Sequence, residues 1–149
     1  MTRVHLVSAA LAGAATGLRS TTGIGALIET GSPGVPAPLT MPVGRAVAGL
    51  AVGGELVVDK LPNTPSRLEP PGLIARAVLG STAGALIARA SERPMVPAAA
   101  VAALAAVASA RIGHDLRVLA SRRVPPLAAA IAEDVVALAL AVGAARSAG

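Results

Sequence analysis

Five apolar stretches, separated by short polar or proline-containing turns, divide the chain. They cover residues 4–28 (VHLVSAALAGAATGLRSTTGIGALI), 43–59, 73–90, 96–115 and 127–145. Each of the last four begins just after a proline, in SPGVPAPLTMP, EPPG, ERPM and RRVPP. Proline suits a first helical turn, where its missing N–H would have had no intrahelical partner. None of the stretches shows the broad polar face of a soluble amphipathic helix. A helix needs roughly 20 apolar residues to cross a bilayer, with about 17 as the lower end. The pattern therefore predicts an all-α fold, a multi-pass transmembrane bundle of about five helices forming one domain over residues 1–149. The first, third and fifth stretches are long enough to span. The second and fourth are short or alanine-rich, which leaves re-entrant placement open for both. A soluble alanine-rich bundle is the alternative. A signal peptide is the alternative for the first stretch, but its apolar run continues past any cleavage-like site to Ile28.

Composition sharpens this picture. The chain is 54% hydrophobic and only 14% charged, against roughly 25% charge in an average soluble domain. It has no aromatic residue, so the usual interfacial belt is missing. It has no cysteine, which excludes disulfides, thiolate metal sites and a cysteine nucleophile. Its charge of +5 comes from basic residues scattered between apolar runs, a pattern that speaks against nucleic-acid binding. The expected partner is the lipid bilayer.

Charge placement gives an orientation. Five crossings put Arg3, Lys60, Arg67, Arg76, Arg111, Arg117, Arg122 and Arg123 on one side, and Arg45, Arg89, Arg93 and Arg146 on the other. The prediction is a cytoplasmic amino terminus with the carboxyl terminus outside.

A few charges lie inside the apolar stretches. Arg19 is beyond the midpoint of the first. Glu55 and Asp59, at i and i+4, share one face about 6 Å apart along the helix axis. Lys60, the only lysine, follows them. Arg111 and Asp115 form a second i,i+4 pair, and Glu133 and Asp134 sit about two turns into the fifth stretch. An ionisable group at the bilayer centre costs roughly 2.5–3.5 kcal/mol, so such groups face the interior and pair with each other or with water. Glu55 is the first-choice partner for Arg19, with Glu133 or Asp134 next. The cluster Arg19, Glu55, Asp59, Lys60, Arg67, Arg76, Arg111, Glu133 and Asp134 is the candidate ion or solute site.

Gly13/Gly17, Gly49/Gly53 and Gly80/Gly84 form three GxxxG pairs in three stretches, the spacing that lets membrane helices approach closely. Packing within the bundle is their first reading and a homo-oligomer interface the second. An inverted repeat is a further expectation. ATGLRS aligns with ASARIG, placing Arg19 over Arg111, and acids follow in each unit.

Taken together, GLRS at 17–20, ELVVDKLPNTPSR at 55–67, PPGLIAR at 70–76 before Gly80, and the acidic pair at 133–134 resemble the bacterial membrane proteins grouped as domain of unknown function 4126. The resemblance covers almost the whole chain. It implies a small multi-pass inner-membrane protein with Arg19, Glu55, Asp59, Lys60, Pro62, Pro65, Ser66, Arg67, Arg76, Glu133 and Asp134 as its polar signature, and it brings no activity. The lack of aromatics departs from the family pattern.

The residues favour a transporter or channel for an ion or small solute. A structural or assembly protein, whose charges and glycines fix helix packing, is the alternative. No HExxH, GxSxG or phosphate-binding loop is present, so catalysis is the weakest reading, and no metal site or cofactor is implied.

Overall fold

The computed structural model describes residues 4–58 and 68–147, and among these every regular element is helical. The helices are α1 (Val4–Leu18), α2 (Thr22–Glu29), α3 (Ala37–Thr40), α4 (Pro42–Val58), α5 (Pro70–Ala90), α6 (Met95–Ala120) and α7 (Pro126–Ser147). Prolines open α4, α5 and α7 as the sequence predicts.

Two helices end alike. After α2, Gly31 (φ +66°) lets its own N–H and that of Ser32 bond back to Ile28 O (3.1 Å) and Leu27 O (3.0 Å). After α5 the same pair of bonds runs from Glu92 to Arg89 O (3.1 Å) and from Arg93 to Ala88 O (2.8 Å). This is the Schellman closure, which usually places glycine at the left-handed position. In the second case Glu92 holds that position, at φ 52°.

α5, α6 and α7 are long and apolar enough to cross a membrane, with 21, 26 and 22 residues and mean hydropathies of 1.4, 1.8 and 2.0. Burial is inverted relative to a soluble protein. Among the described residues, fifteen of the twenty buried hydrophobic residues are alanine, while twenty-four large aliphatic side chains are exposed. The largest fully buried side chain is Arg19. A water-soluble bundle would bury its Leu, Ile and Val and leave an arginine outside. Small residues within and branched ones outward suit lipid, where close backbone contact replaces the hydrophobic drive. That argues against the soluble-bundle alternative.

The interior is organised around α6, where Ala98, Ala102, Ala106, Ala110 and Gly113 form a buried row. Two helices lie against it. A Cβ added to Gly13 would come within 2.7 Å of the Ala102 Cα, and one added to Gly84 within 2.7 Å of the Ala102 Cβ. Ala106 is similarly placed between Gly17 and Gly80. The Ser109 hydroxyl also donates to Ala14 O at 2.9 Å. Gly49 and Gly53 differ from the other two pairs. A Cβ on Gly53 would meet nothing within 4 Å, and one on Gly49 only the Glu29 carboxylate at 3.5 Å. Their helix packs on α2 rather than on the three long helices, so this pair is not a packing face within the chain.

These registers fix the chain direction. Gly13 and Gly17 pair with Ala102 and Ala106 in ascending order, so α1 runs parallel to α6, and Gly80 and Gly84 pair in descending order, so α5 is antiparallel. The inverted repeat, which laid Arg19 over Arg111 in oppositely directed helices, is therefore not the arrangement adopted. Ser8 meets Ser147 at 2.8 Å and Arg19 meets Asp134, so α7 is antiparallel to α1.

The predicted single crossing over residues 4–28 is corrected. The chain breaks after Leu18 and turns back on itself. A Cβ on Gly23 would come within 2.7 Å of Ala12 O, a contact that an unbroken helix forbids. Further along α2, Leu27 and Ile28 share an apolar cluster with Ala12, Ile87 and Ala144. α1 and α2 thus form a helical hairpin that enters from the end where α7 finishes and reverses inside the bundle. Its tip is residues 19–21. One consequence is that α1 starts at the same end of the bundle as α7 ends, not at opposite ends as five simple crossings would require. The second predicted stretch, 43–59, is helical as α4 up to Val58, a helix that is not among those long and apolar enough to cross a membrane, and Asp59 lies outside the described residues.

Candidate functional site: the hairpin tip and its cavity

A helix that breaks inside a membrane leaves backbone groups without partners, and each unsatisfied group costs several kcal/mol there. In a continuous helix the N–H groups of Ser20 and Thr21 would bond to the carbonyls of Thr16 and Gly17. Both go elsewhere. Ser20 N–H donates to Glu55 Oε1 at 2.6 Å and Thr21 N–H to Oε2 at 2.8 Å, while the Thr21 hydroxyl donates to Oε2 at 2.7 Å. A carboxylate from α4 therefore caps α2, whose own N-cap residue makes no side-chain cap. Negative charge is favoured there because unpaired N–H groups and the helix dipole both present positive potential. Gly17 O, released by the same break, accepts from Arg76 Nε at 3.2 Å, and Arg76 Nη1 donates to Gly72 O at 3.2 Å. One acid and one base replace helix bonds that the turn removes.

Arg19 points from the tip toward α7. Its side chain is 1% exposed, its Nε donates to Asp134 Oδ1 at 2.6 Å, and its Nη2 contacts the same oxygen. The first-choice assignment of Glu55 to Arg19 is thus replaced by Asp134, because Glu55 is engaged by the backbone. Thr22 is also buried at the tip, and its hydroxyl has no hydrogen-bond partner among the described residues.

The adjacent acid has a different setting. Glu133 faces α6, where Arg117 Nε lies 3.6 Å from its Oε2. Both line a cavity of about 570 Å³ between the end of α1, the second half of α6 and the first half of α7. The remaining lining is almost entirely apolar, including Leu18, Ile112, Leu116, Val124 and Val136. Glu55 does not line it. α6 and α7, although consecutive, touch sparingly. Gly113 matters here because a Cβ on it would lie 2.6 Å from Leu18 Cδ2 and 3.5 Å from Glu133 Oε1, so the glycine keeps the tip and the carboxylate close.

The structure thus brings Arg19, Glu55, Arg76, Glu133 and Asp134 around one turn of chain. Arg111 stands apart. It is exposed on α6, and no ion pair joins it to Asp115 among the described residues. Asp59, Lys60 and Arg67 lie outside the described residues, as do Pro62, Pro65 and Ser66. Sequence reasoning missed Ser20, Thr21 and Arg117 as parts of the site. A signal for the first two existed. Ser20-Thr21-Thr22 is a run of cap-forming residues in the middle of an apolar stretch, flanked by Gly17 and Gly23. No family model matches the chain, and neither curated proteins nor solved structures provide a match.

Proposed function

We propose that the chain is a small inner-membrane transport protein whose re-entrant tip and Glu133-bearing cavity form the pathway for an ion or small solute. The observation that carries this reading is the hairpin itself. Non-helical backbone at membrane depth is tolerated where it is buried in protein or lines a cavity, and interrupted helices are a recurring device of solute sites in transporters. Here the interruption adjoins a cavity with an ionisable acid and base on its wall. The residues that carry the resemblance to domain of unknown function 4126 include Arg19, Arg76, Glu55, Glu133 and Asp134, which supports treating the tip and its acids as one unit.

The hairpin supports an orientation different from that of five simple crossings. Among the described residues, the end of the bundle carrying the start of α5 and the α6–α7 connection has Arg76, Arg111, Arg117, Arg122 and Arg123, whereas the other end has Arg45, Arg89, Arg93 and Arg146. By the positive-inside rule the connection end is cytoplasmic. On this reading the amino terminus lies on the opposite side from that expected of five crossings, since α1 begins at the other end of the bundle.

A second reading, a structural or assembly role, is favoured by the Arg19–Asp134 pair and by the saturation of Glu55. Vesicle flux separates the two. In proteoliposomes loaded with a pH-sensitive dye under an imposed ion gradient, the wild type is expected to dissipate the gradient and Glu133→Gln to block it while remaining folded. Flux equal to that of empty vesicles, or flux indifferent to Glu133→Gln, removes the transport reading. Cysteines placed at Ser121 and Ser147 are expected to label from opposite sides, Ser121 from the cytoplasm.

A further inference from the structure

We propose that the cavity between α6 and α7 takes a membrane lipid with an anionic phosphate headgroup, its aliphatic tail against the apolar wall. This goes beyond the ion or small solute of the proposed function by giving the same cavity a lipid occupant, and it rests on reading that cavity as a transport site.

The lining decides the tail. A buried water needs two to four polar partners, yet only Ser109, Arg117 and Glu133 offer polar side chains among thirteen lining residues. Volume fits as well, since about 570 Å³ falls within the roughly 300–1,000 Å³ typical of sites for whole small molecules. An inorganic ion or sugar would leave most of that wall without a partner, and an aliphatic chain would not.

Charge decides the headgroup. Arg117 lies in the last turn of α6, and Arg122 and Arg123 follow on the connection, next to the lining residues Ala120 and Val124. α7 begins at Pro126, directing the positive end of its dipole to the same place. Two acids counter them. Glu133 is drawn to Arg117 at 3.6 Å, and Asp115 lines a separate recess with His114 and Arg122. Arg117, Arg122 and Arg123 outnumber these acids, so the end of the cavity nearest the connection is electropositive. Surface arginines at a membrane interface attract anionic lipid headgroups and zwitterionic ones much less.

The test uses the full chain in neutral detergent and a fluorescent phosphatidylglycerol read by anisotropy. Saturable binding is expected, competed by unlabelled phosphatidylglycerol but not by phosphatidylcholine of the same chain length or by inorganic phosphate. Arg122→Gln with Arg123→Gln is expected to weaken binding roughly thirtyfold. Ala129→Leu with Ala132→Leu, which fills the cavity, is expected to abolish it, whereas Arg89→Gln with Arg93→Gln, the same charge loss at the other end, leaves it intact. Equal binding of the two lipids overturns the proposal. So does full binding by the filled variant, which means annular lipid only, and so does competition by inorganic phosphate, which means a headgroup site without a tail. Ion flux persisting without lipid binding sinks this inference and spares the transport reading. Saturable binding in vesicles that move neither ions nor lipid does the reverse.

Discussion

Replacing Glu55 tests whether its carboxylate holds the hairpin tip. The side chain accepts two backbone N–H bonds and one hydroxyl bond, all between 2.6 and 2.8 Å. Glu55→Ala removes the acceptor for Ser20 and Thr21 together. Each orphaned donor costs about 1–3 kcal/mol, and the Thr21 hydroxyl can rotate to a new partner, so the expected loss is about 2–6 kcal/mol. Glu55→Gln keeps one oxygen but turns an amide donor toward the other N–H, which halves the loss to about 1–3 kcal/mol. Gly53→Ala, on the same helix and facing open space, serves as the control and should gain about 0.5–1 kcal/mol from helix propensity. Unfolding of the purified protein in mixed micelles, titrated with a denaturing detergent, measures all three. The reasoning fails if Glu55→Ala stays within about 0.5 kcal/mol of wild type, the range of an ordinary surface substitution. It also fails if Glu55→Gln is more damaging than Glu55→Ala.

Other expectations follow from contacts described above. Asp134→Leu leaves the Arg19 guanidinium without its acid and should cost about 3–5 kcal/mol, while adding Arg19→Leu should recover much of that loss, as measured by the same unfolding titration. Gly17→Ala and Gly84→Ala drive a methyl group into α6 and should each cost about 1–3 kcal/mol, with loss of the folded species on size-exclusion chromatography. Glu92→Gly relieves a left-handed residue at the end of α5 and should raise the melting temperature, whereas Gly31→Ala at the equivalent point after α2 should lower it.

Much of the helical framework was legible because its signals are local. Prolines in the first turn and uninterrupted apolar runs located α4, α5, α6 and α7 to within a few residues. Buried charge was also legible in kind, since an arginine in an apolar stretch has to find an acid. Which acid it finds depends on chain path, and that was obscured by the reversal at residues 19–21. The turn contains neither proline nor glycine, and it is stable because Glu55 and Arg76, both distant in sequence, take over its backbone bonds. Periodicity cannot report a turn whose hydrogen bonds come from other helices. Reading residues 4–28 as one span then carried its error into the inverted repeat and the Arg19–Glu55 pairing. Arg76, counted from the sequence among the charges on one side of the membrane, is a buried member of α5.

The pairing of Arg19 with Asp134 joins residues 115 positions apart in the chain. A ribosome adding about 5–20 residues per second delivers the arginine to the insertion machinery roughly 6–23 seconds before the aspartate exists. During that interval the nascent hairpin holds an uncompensated cation, so its tip has to wait at the bilayer surface or in a hydrated channel. Insertion of the last helix is therefore the step that seats the first, and a ribosome stalled ahead of α7 would expose an unfinished hairpin to membrane proteases.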